Sequence, residues 1–240
     1  MRHLLTGAGS GIGHALARLL HDRGDDLVLI ARSADRATAI AADLPQAEVL
    51  VGDLAEPGTL HGLGREVAGP LDSLVHCAGV VTLAPLATAR LDDWHRQLDV
   101  NLVAPAVLTR EFVPHLRQSR GTVVFVNSTA GLQVSGGWAA YGASKFGLRA
   151  VADALREEEP RLRVCSVYPS RTASPMQERV RAAEGVAYAE GDYILNGDII
   201  VGNDLPKPRS LSSDDDDHRW PGGQIPVLID VSIYEKNQQK

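Results

Sequence analysis

Cysteine is scarce in this chain: there are two, Cys77 and Cys165. Both stand in apolar runs that read as buried strands, so small core thiols in a reducing cytoplasm are expected rather than a disulfide. No apolar run approaches the roughly 18–20 residues of a membrane span. Excess positive charge is also lacking. The formal charge is −6, which argues against a nucleic-acid partner. His76 has no second His, Cys or Asp at ligand spacing, so it reads as structural and no metal site is expected. The first six residues run straight into a glycine loop and leave no room for a leader, so a cytoplasmic location is expected. The sharpest scarcity is lysine: residues 1–188 hold eighteen arginines and one lysine, Lys145. A chain that otherwise uses guanidinium has an ammonium here, which suits a site needing a compact point charge.

Alternating strand and helix patterns fill residues 1–188 and predict an α/β fold with a parallel sheet covered on both faces. Residues 2–6 read as a buried strand, followed by Thr6-Gly7-Ala8-Gly9-Ser10-Gly11-Ile12-Gly13 and an amphipathic helix to about Arg23. Gly7, Gly11 and Gly13, with Ser10 and Ile12 between them, allow a tight turn. They also allow close approach of a pyrophosphate to the helix start. The second strand, Leu27 to Ala31, ends at Arg32, with Arg36 a turn later. An acid at that position would bind a ribose 2′-hydroxyl; a guanidinium suits a 2′-phosphate, so NADP is favoured over NAD. A helix over 34–44 and a strand over 48–51 follow. Asp53 and Leu54 come next, where Asp53 has two readings: a partner for an adenine amino group, or the N-cap of a helix to about Ala68 with Glu56 completing a capping box. A strand over 71–77 leads into Ala78-Gly79, small enough for close approach of a ring or ribose.

A long helix is expected from about Asp92 to Gln118. Asn101 inside it is a poor helix residue and marks either a functional distortion or an exposed turn. A strand over 122–126 delivers Asn127-Ser128-Thr129 at its carboxyl end, where ligands bind in such sheets. Ser128 lies thirteen residues before Tyr141. A helix over 139–158 carries Tyr141 and Lys145, four apart and therefore on one face. An ammonium beside a phenol favours the phenolate and is expected to lower the tyrosine pKa. A strand over 162–168 then opens into a flexible segment from Pro169 to Met176.

These motifs, in this order and spacing, resemble the short-chain dehydrogenase/reductase family over residues 1 to about 188. The resemblance implies a doubly wound, Rossmann-like sheet of strand order 3-2-1-4-5-6 and an NADP-dependent oxidoreductase of small carbonyls or alcohols. It implies Tyr141 as general acid/base, Lys145 as ribose ligand, Ser128 as partner of the substrate oxygen and Asn101 as holder of a relay water. It further implies Gly7, Gly11 and Gly13 at the pyrophosphate, the Thr172 main chain and the Ser174 hydroxyl at the carboxamide, and Pro169 among the cofactor-binding residues. Homodimers through the long helix and the Tyr141 helix are implied too. The chain departs from the family at His76-Cys77 and at Ser170. Val80, Val81, Leu132, Val134, Trp138 and Met176 suggest an apolar substrate pocket.

Residues 189–240 differ. Residues 1–188 carry 29 alanines and the tail one, while acids outnumber bases ten to five there. An acidic, largely loop or disordered tail is expected around Asp214–Asp217, with a strand over Ile225 to Ile233 as a substitute for the family's seventh, edge strand. Loss of that strand weakens the case for a tetramer. Leu195-Asn196-Gly197-Asp198 and Arg219-Trp220-Pro221-Gly222 resemble the pro-segment and mature start of astacin-type metalloproteases, which suggests a chimaera. The chain has no His-Glu-x-x-His, which excludes a zinc protease itself. Two alternatives to the reductase follow: a non-catalytic NADP-binding protein of the same fold, and a tail acting as a pro-segment-like inhibitor through Asp198.

Overall fold

The computed structural model describes residues 1–190. Six strands form one parallel sheet: β1 (Arg2–Thr6), β2 (Asp26–Ala31), β3 (Glu48–Val51), β4 (Ser73–His76), β5 (Thr122–Val126) and β6 (Arg163–Val167), in the order β3-β2-β1-β4-β5-β6. The strand order reverses between β1 and β4, which opens a crevice at their carboxyl ends. The inner strands read as continuous apolar runs because both faces are covered. On one face α1 (Gly11–Asp22) and α2 (Ala34–Asp43) bring Leu16, Leu20 and Ile40 onto Leu5, Leu29 and Val75. On the other, α4 (Ala104–Ser119) and α5 (Ala139–Glu158) bring Leu108, Phe112 and Leu148 onto Leu4, Leu74 and Phe125. Phe112 and Phe125 are fully buried, and truncating such a side chain typically costs about 3–5 kcal/mol.

Four expectations change. After β3 there is no α-helix to Ala68 but two 3₁₀ turns, Pro57–Leu60 and Leu63–Arg65. Gly58, Gly62 and Gly64 make the segment a poor helix, and Gly62 sits at φ 92°, outside helical space. Asp53 accordingly closes a local turn, accepting from the Ala55 N–H at 2.9 Å, and no capping box forms. The long helix is interrupted: α3 (Leu91–Leu98) passes into a π-helical turn, Asp99–Val103, before α4. Cys165 is exposed rather than buried, because β6 is the last strand of the sheet among the described residues. The segment after Pro169 is helical from Pro175: α6 (Pro175–Ala183) is capped by the Ser174 hydroxyl, which accepts from Gln177 N–H at 3.2 Å. The acidic stretch, the strand over Ile225 to Ile233, the substitute edge strand and the protease-like motifs lie outside the described residues.

Candidate active site

A cavity of about 640 Å³ opens along the carboxyl ends of the strands, within the usual range for ligand pockets. At its floor, Gly7 has φ 77°, and a Cβ there would meet the Ala78 backbone nitrogen at 2.8 Å; a Cβ on Gly13 would meet the Gly7 carbonyl at 2.4 Å. The two glycines let β1, α1 and the segment after β4 close on one another. Thr6 ties the same joint, its hydroxyl accepting from Ala78 N–H at 3.1 Å. Ser10 precedes α1 without capping it, and no acid sits in its first turn. The N–H groups of that turn are therefore left for an anion.

The opposite wall carries the candidate proton-transfer groups. Tyr141, Ser144 and Lys145 are buried on α5. The Tyr141 hydroxyl lies beside that of Ser128, whose oxygen accepts from Ala130 N–H at 3.1 Å. Lys145 Nζ donates to the Val126 carbonyl at 2.9 Å and lies 5.8 Å from the centre of the Tyr141 ring. Burial dominates both groups. It pushes the Tyr141 phenol up, against the opposing pull of the Ser128 hydroxyl. It pushes Lys145 down to about 8, slightly opposed by the field of Cys77. The expected lowering of the tyrosine by the lysine is therefore corrected for the ligand-free protein. The ammonium is turned to the Val126 carbonyl rather than the phenol, and desolvation sets the direction of the shift. Burial also raises Cys77 to about 12 and lowers His76 to about 3, with Lys145 adding to the second effect. His76 is neutral, stacked on Phe125 at 5.0 Å and paired with the Thr109 hydroxyl at 2.9 Å. No group of His, Cys, Asp or Glu among the described residues is arranged to hold a metal.

Of the residues predicted from sequence, Gly7, Ser10, Gly11, Ile12, Gly13, Arg32, Asp53, Leu54, Ala78, Gly79, Ser128, Tyr141, Lys145, Pro169, Thr172 and Ser174 all line this one cavity. Asn101 does not. It is fully buried in the π-turn, one layer behind the wall, with Oδ1 3.4 Å from where a Gly79 Cβ would stand. Its amide accepts from Val80 N–H at 2.8 Å and donates to the Val80 carbonyl at 2.9 Å and to Ser144 Oγ at 3.0 Å. Leu132 and Val134 also fall outside the lining and are each 41% exposed, Val134 lying over Gly142 on the flank of α5.

Several site residues were not anticipated. Asn127 joins β5 to α5: Nδ2 donates to the Lys145 carbonyl at 3.1 Å, and Oδ1 accepts from Ser128 N–H at 2.9 Å. Ser144 donates to the Tyr141 carbonyl at 2.7 Å. Gln97 holds Thr82, accepting from its N–H at 3.0 Å. The only signal for these was a polar residue at an apolar position. Arg96, Gln133, Gln177 and Arg179 also line the cavity. Gln177 Nε2 is buried with no partner among the described residues.

The residues fit a dinucleotide: the glycine cradle, the uncapped α1 and the orphaned Gln177 donor all call for an acceptor-rich ligand. Arg36 reaches over the glycine loop, its Nη2 2.7 Å from where a Gly9 Cβ would stand, and Arg32 joins it at the cavity edge.

The short chain dehydrogenase family model matches residues 2–185, and the chain belongs to that family of oxidoreductases. It is 35% identical over 193 residues to glycine betaine reductase ATRR of Emericella nidulans, a match covering 76% of this chain but 15% of that protein. An uncharacterized oxidoreductase of Schizosaccharomyces pombe is 32% identical over 181 residues, covering 74% of this chain and 73% of that one. Among solved structures, a short chain dehydrogenase of Escherichia coli CFT073 complexed with NADPH is 27% identical, with a TM-score of 0.75 over 83% of this chain and 87% of that one. One of Shigella flexneri complexed with NADP is 26% identical, with the same TM-score and coverage.

Proposed function

We propose that this chain transfers a hydride between NADP(H) and a small, largely apolar carbonyl or alcohol, with Tyr141 as general acid in reduction and general base in oxidation. The observation that carries this is the meeting of Tyr141, Ser128 and Lys145 in one cavity with the glycine loop. The cofactor, when bound, supplies or accepts the hydride. Ser128 Oγ hydrogen-bonds the substrate oxygen as charge grows on it, and the Tyr141 hydroxyl gives that oxygen its proton. Lys145 has two N–H donors left after Val126, enough for the two hydroxyls of a ribose. Asn101 holds Val80 and Ser144, and with them the spacing between the β4 loop and α5. Since burial keeps Tyr141 protonated, the ligand-free site is set for reduction at neutral pH, and oxidation should rise with pH.

NADP rather than NAD is supported by Arg32 and Arg36, which line the cavity where an acid would select the 2′-hydroxyl. A homodimer is supported by Val103 and Phe146, 39% and 42% exposed at the start of α4 and on α5. Replacing Phe146→Glu should shift sedimentation towards monomer.

The decisive experiment is Tyr141→Phe. Turnover of NADPH with a carbonyl panel should fall about 10²–10⁴-fold, while NADPH binding, read by fluorescence, is retained. Undiminished turnover in that variant would overturn the assignment.

A further inference from the structure

Resting on the NADP(H)-linked reading, we infer that the outer cavity is built for a substrate whose carbonyl or alcohol is joined through an apolar stretch to an anionic group, a carboxylate or phosphate, received by Arg96 and Arg179.

Both arginines line the cavity at its exposed rim, and neither guanidinium has a hydrogen bond or ion pair among the described residues. Arg96 sits on α3, one helical turn before Val100, which lines the same cavity. Val100 is followed by Asn101, which grips Val80. Arg179 sits on α6, one turn after Met176, whose Cε lies 3.8 Å from where a Gly79 Cβ would stand. The two arginines thus stand on the elements that bring Val100 and Met176 to the cavity, whereas Arg36 lies over the glycine loop.

The contrast in charge is the stronger point. Acids and bases nearly balance over residues 1–188, twenty against nineteen, yet the cavity lining contains one carboxylate, Asp53, which follows β3, against five arginines and Lys145. No acid of the lining stands beside Arg96 or Arg179. Other arginines near α6 are paired: Arg171 and Arg181 both meet Glu184, at 2.6 Å and 3.1 Å. Unpaired guanidiniums in a concave site draw anions inward, and a guanidinium binds carboxylate or phosphate by a planar fork. Val80, Val81, Trp138 and Met176, which line the same cavity, suit the apolar stretch.

The test compares matched pairs with NADPH: 5-oxohexanoate against 2-hexanone for the carboxylate, and dihydroxyacetone phosphate against dihydroxyacetone for the phosphate. At least one anionic member should show kcat/KM tenfold or more above its neutral partner at low salt, the gap narrowing as salt rises. In the double variant Arg96→Gln/Arg179→Gln that ratio should fall at least tenfold, through KM rather than kcat. A second measurement needs no turnover: hexanoate and 1-hexanol are titrated calorimetrically into the protein with and without NADP. Hexanoate should bind at least tenfold tighter to wild type and lose that margin in the double variant. Absence of preference for either anion, or an equal loss on charged and neutral members, would overturn the inference. Failure of NADPH binding, or retained turnover in Tyr141→Phe, strikes the oxidoreductase reading instead. NADPH binding with no anion preference strikes this inference alone.

Discussion

Behind Tyr141 the cavity wall is knitted by buried side chains, whereas the outer wall, from Gln133 to Trp138 and along α6, is held at the surface. On the inner side, Asn101, Asn127, Ser144 and Lys145 are each at most 4% exposed and hydrogen-bond to backbone on neighbouring elements or to one another. On the outer side, Gln133 and Ser135 are exposed, and α6 is tied back through the Arg171–Glu184 ion pair in partial contact with water. A buried polar group that loses its partner costs far more than a surface pair that opens. The geometry around Tyr141 is therefore expensive to alter, while the outer wall is free to vary.

The largest break in this contrast should come from Asn101→Leu. It strands the Val80 backbone groups and the Ser144 hydroxyl, an expected loss of about 3 kcal/mol, or roughly 10 °C in a thermal melt. A drop within error of zero would show the inner wall to be no stiffer than the outer. Next is the buried ammonium. Lys145 has a folded pKa of about 8 against 10.5 unfolded, so between those values the unfolded chain binds more protons and stability rises with pH. Measured by urea unfolding against Lys145→Met, the penalty on wild type should shrink by about 2 kcal/mol between about pH 7.5 and 9.5. A gap that does not move would place the lysine in contact with water. The double change Arg32→Ala/Arg36→Ala should raise KM for NADPH by about tenfold or more, equivalent to losing a charge-assisted bond. KM for NADH should stay nearly level. Equal effects on both cofactors would remove the case for a 2′-phosphate site. The smallest effect is expected from Arg171→Ala, whose pair is exposed on the arginine side. Its melting temperature should move by less than about 1 kcal/mol implies, and a larger fall would mean that α6 depends on that tie.

The sheet was legible because its strands are short runs of Leu, Val and Ile between glycine-rich turns, and parallel burial leaves little room for another pattern. The glycine loop and the Tyr141–Lys145 spacing were legible because local geometry fixes them. What sequence periodicity missed depends on partners distant in the chain. The helix expected to Ala68 followed apolar spacing, but Pro57 and the glycines after it prefer tighter turns. Cys165 looks like any core thiol until β6 is known to be the last strand among the described residues. Apolarity puts Leu132 and Val134 in the pocket, but the chain leaves them exposed outside it, and Arg96 and Arg179, exposed at its rim, line it instead. The direction of the Tyr141 shift followed from burial, which two residues on a helix cannot reveal.

The π-turn at Asp99–Val103 carries a consequence for how such a site can be lost. A π-turn holds one residue more than the helix on either side needs, so α4 leaves it rotated by about 100° from where an uninterrupted helix would point. Deleting a single residue there would heal the helix and raise no alarm in composition or hydropathy. It would also swing Asn101 off Val80 and Ser144. The inner wall is therefore vulnerable to a one-codon deletion that preserves every other side chain, and a deletion scan across 99–103 would find its most damaging steps where the helix itself becomes most regular.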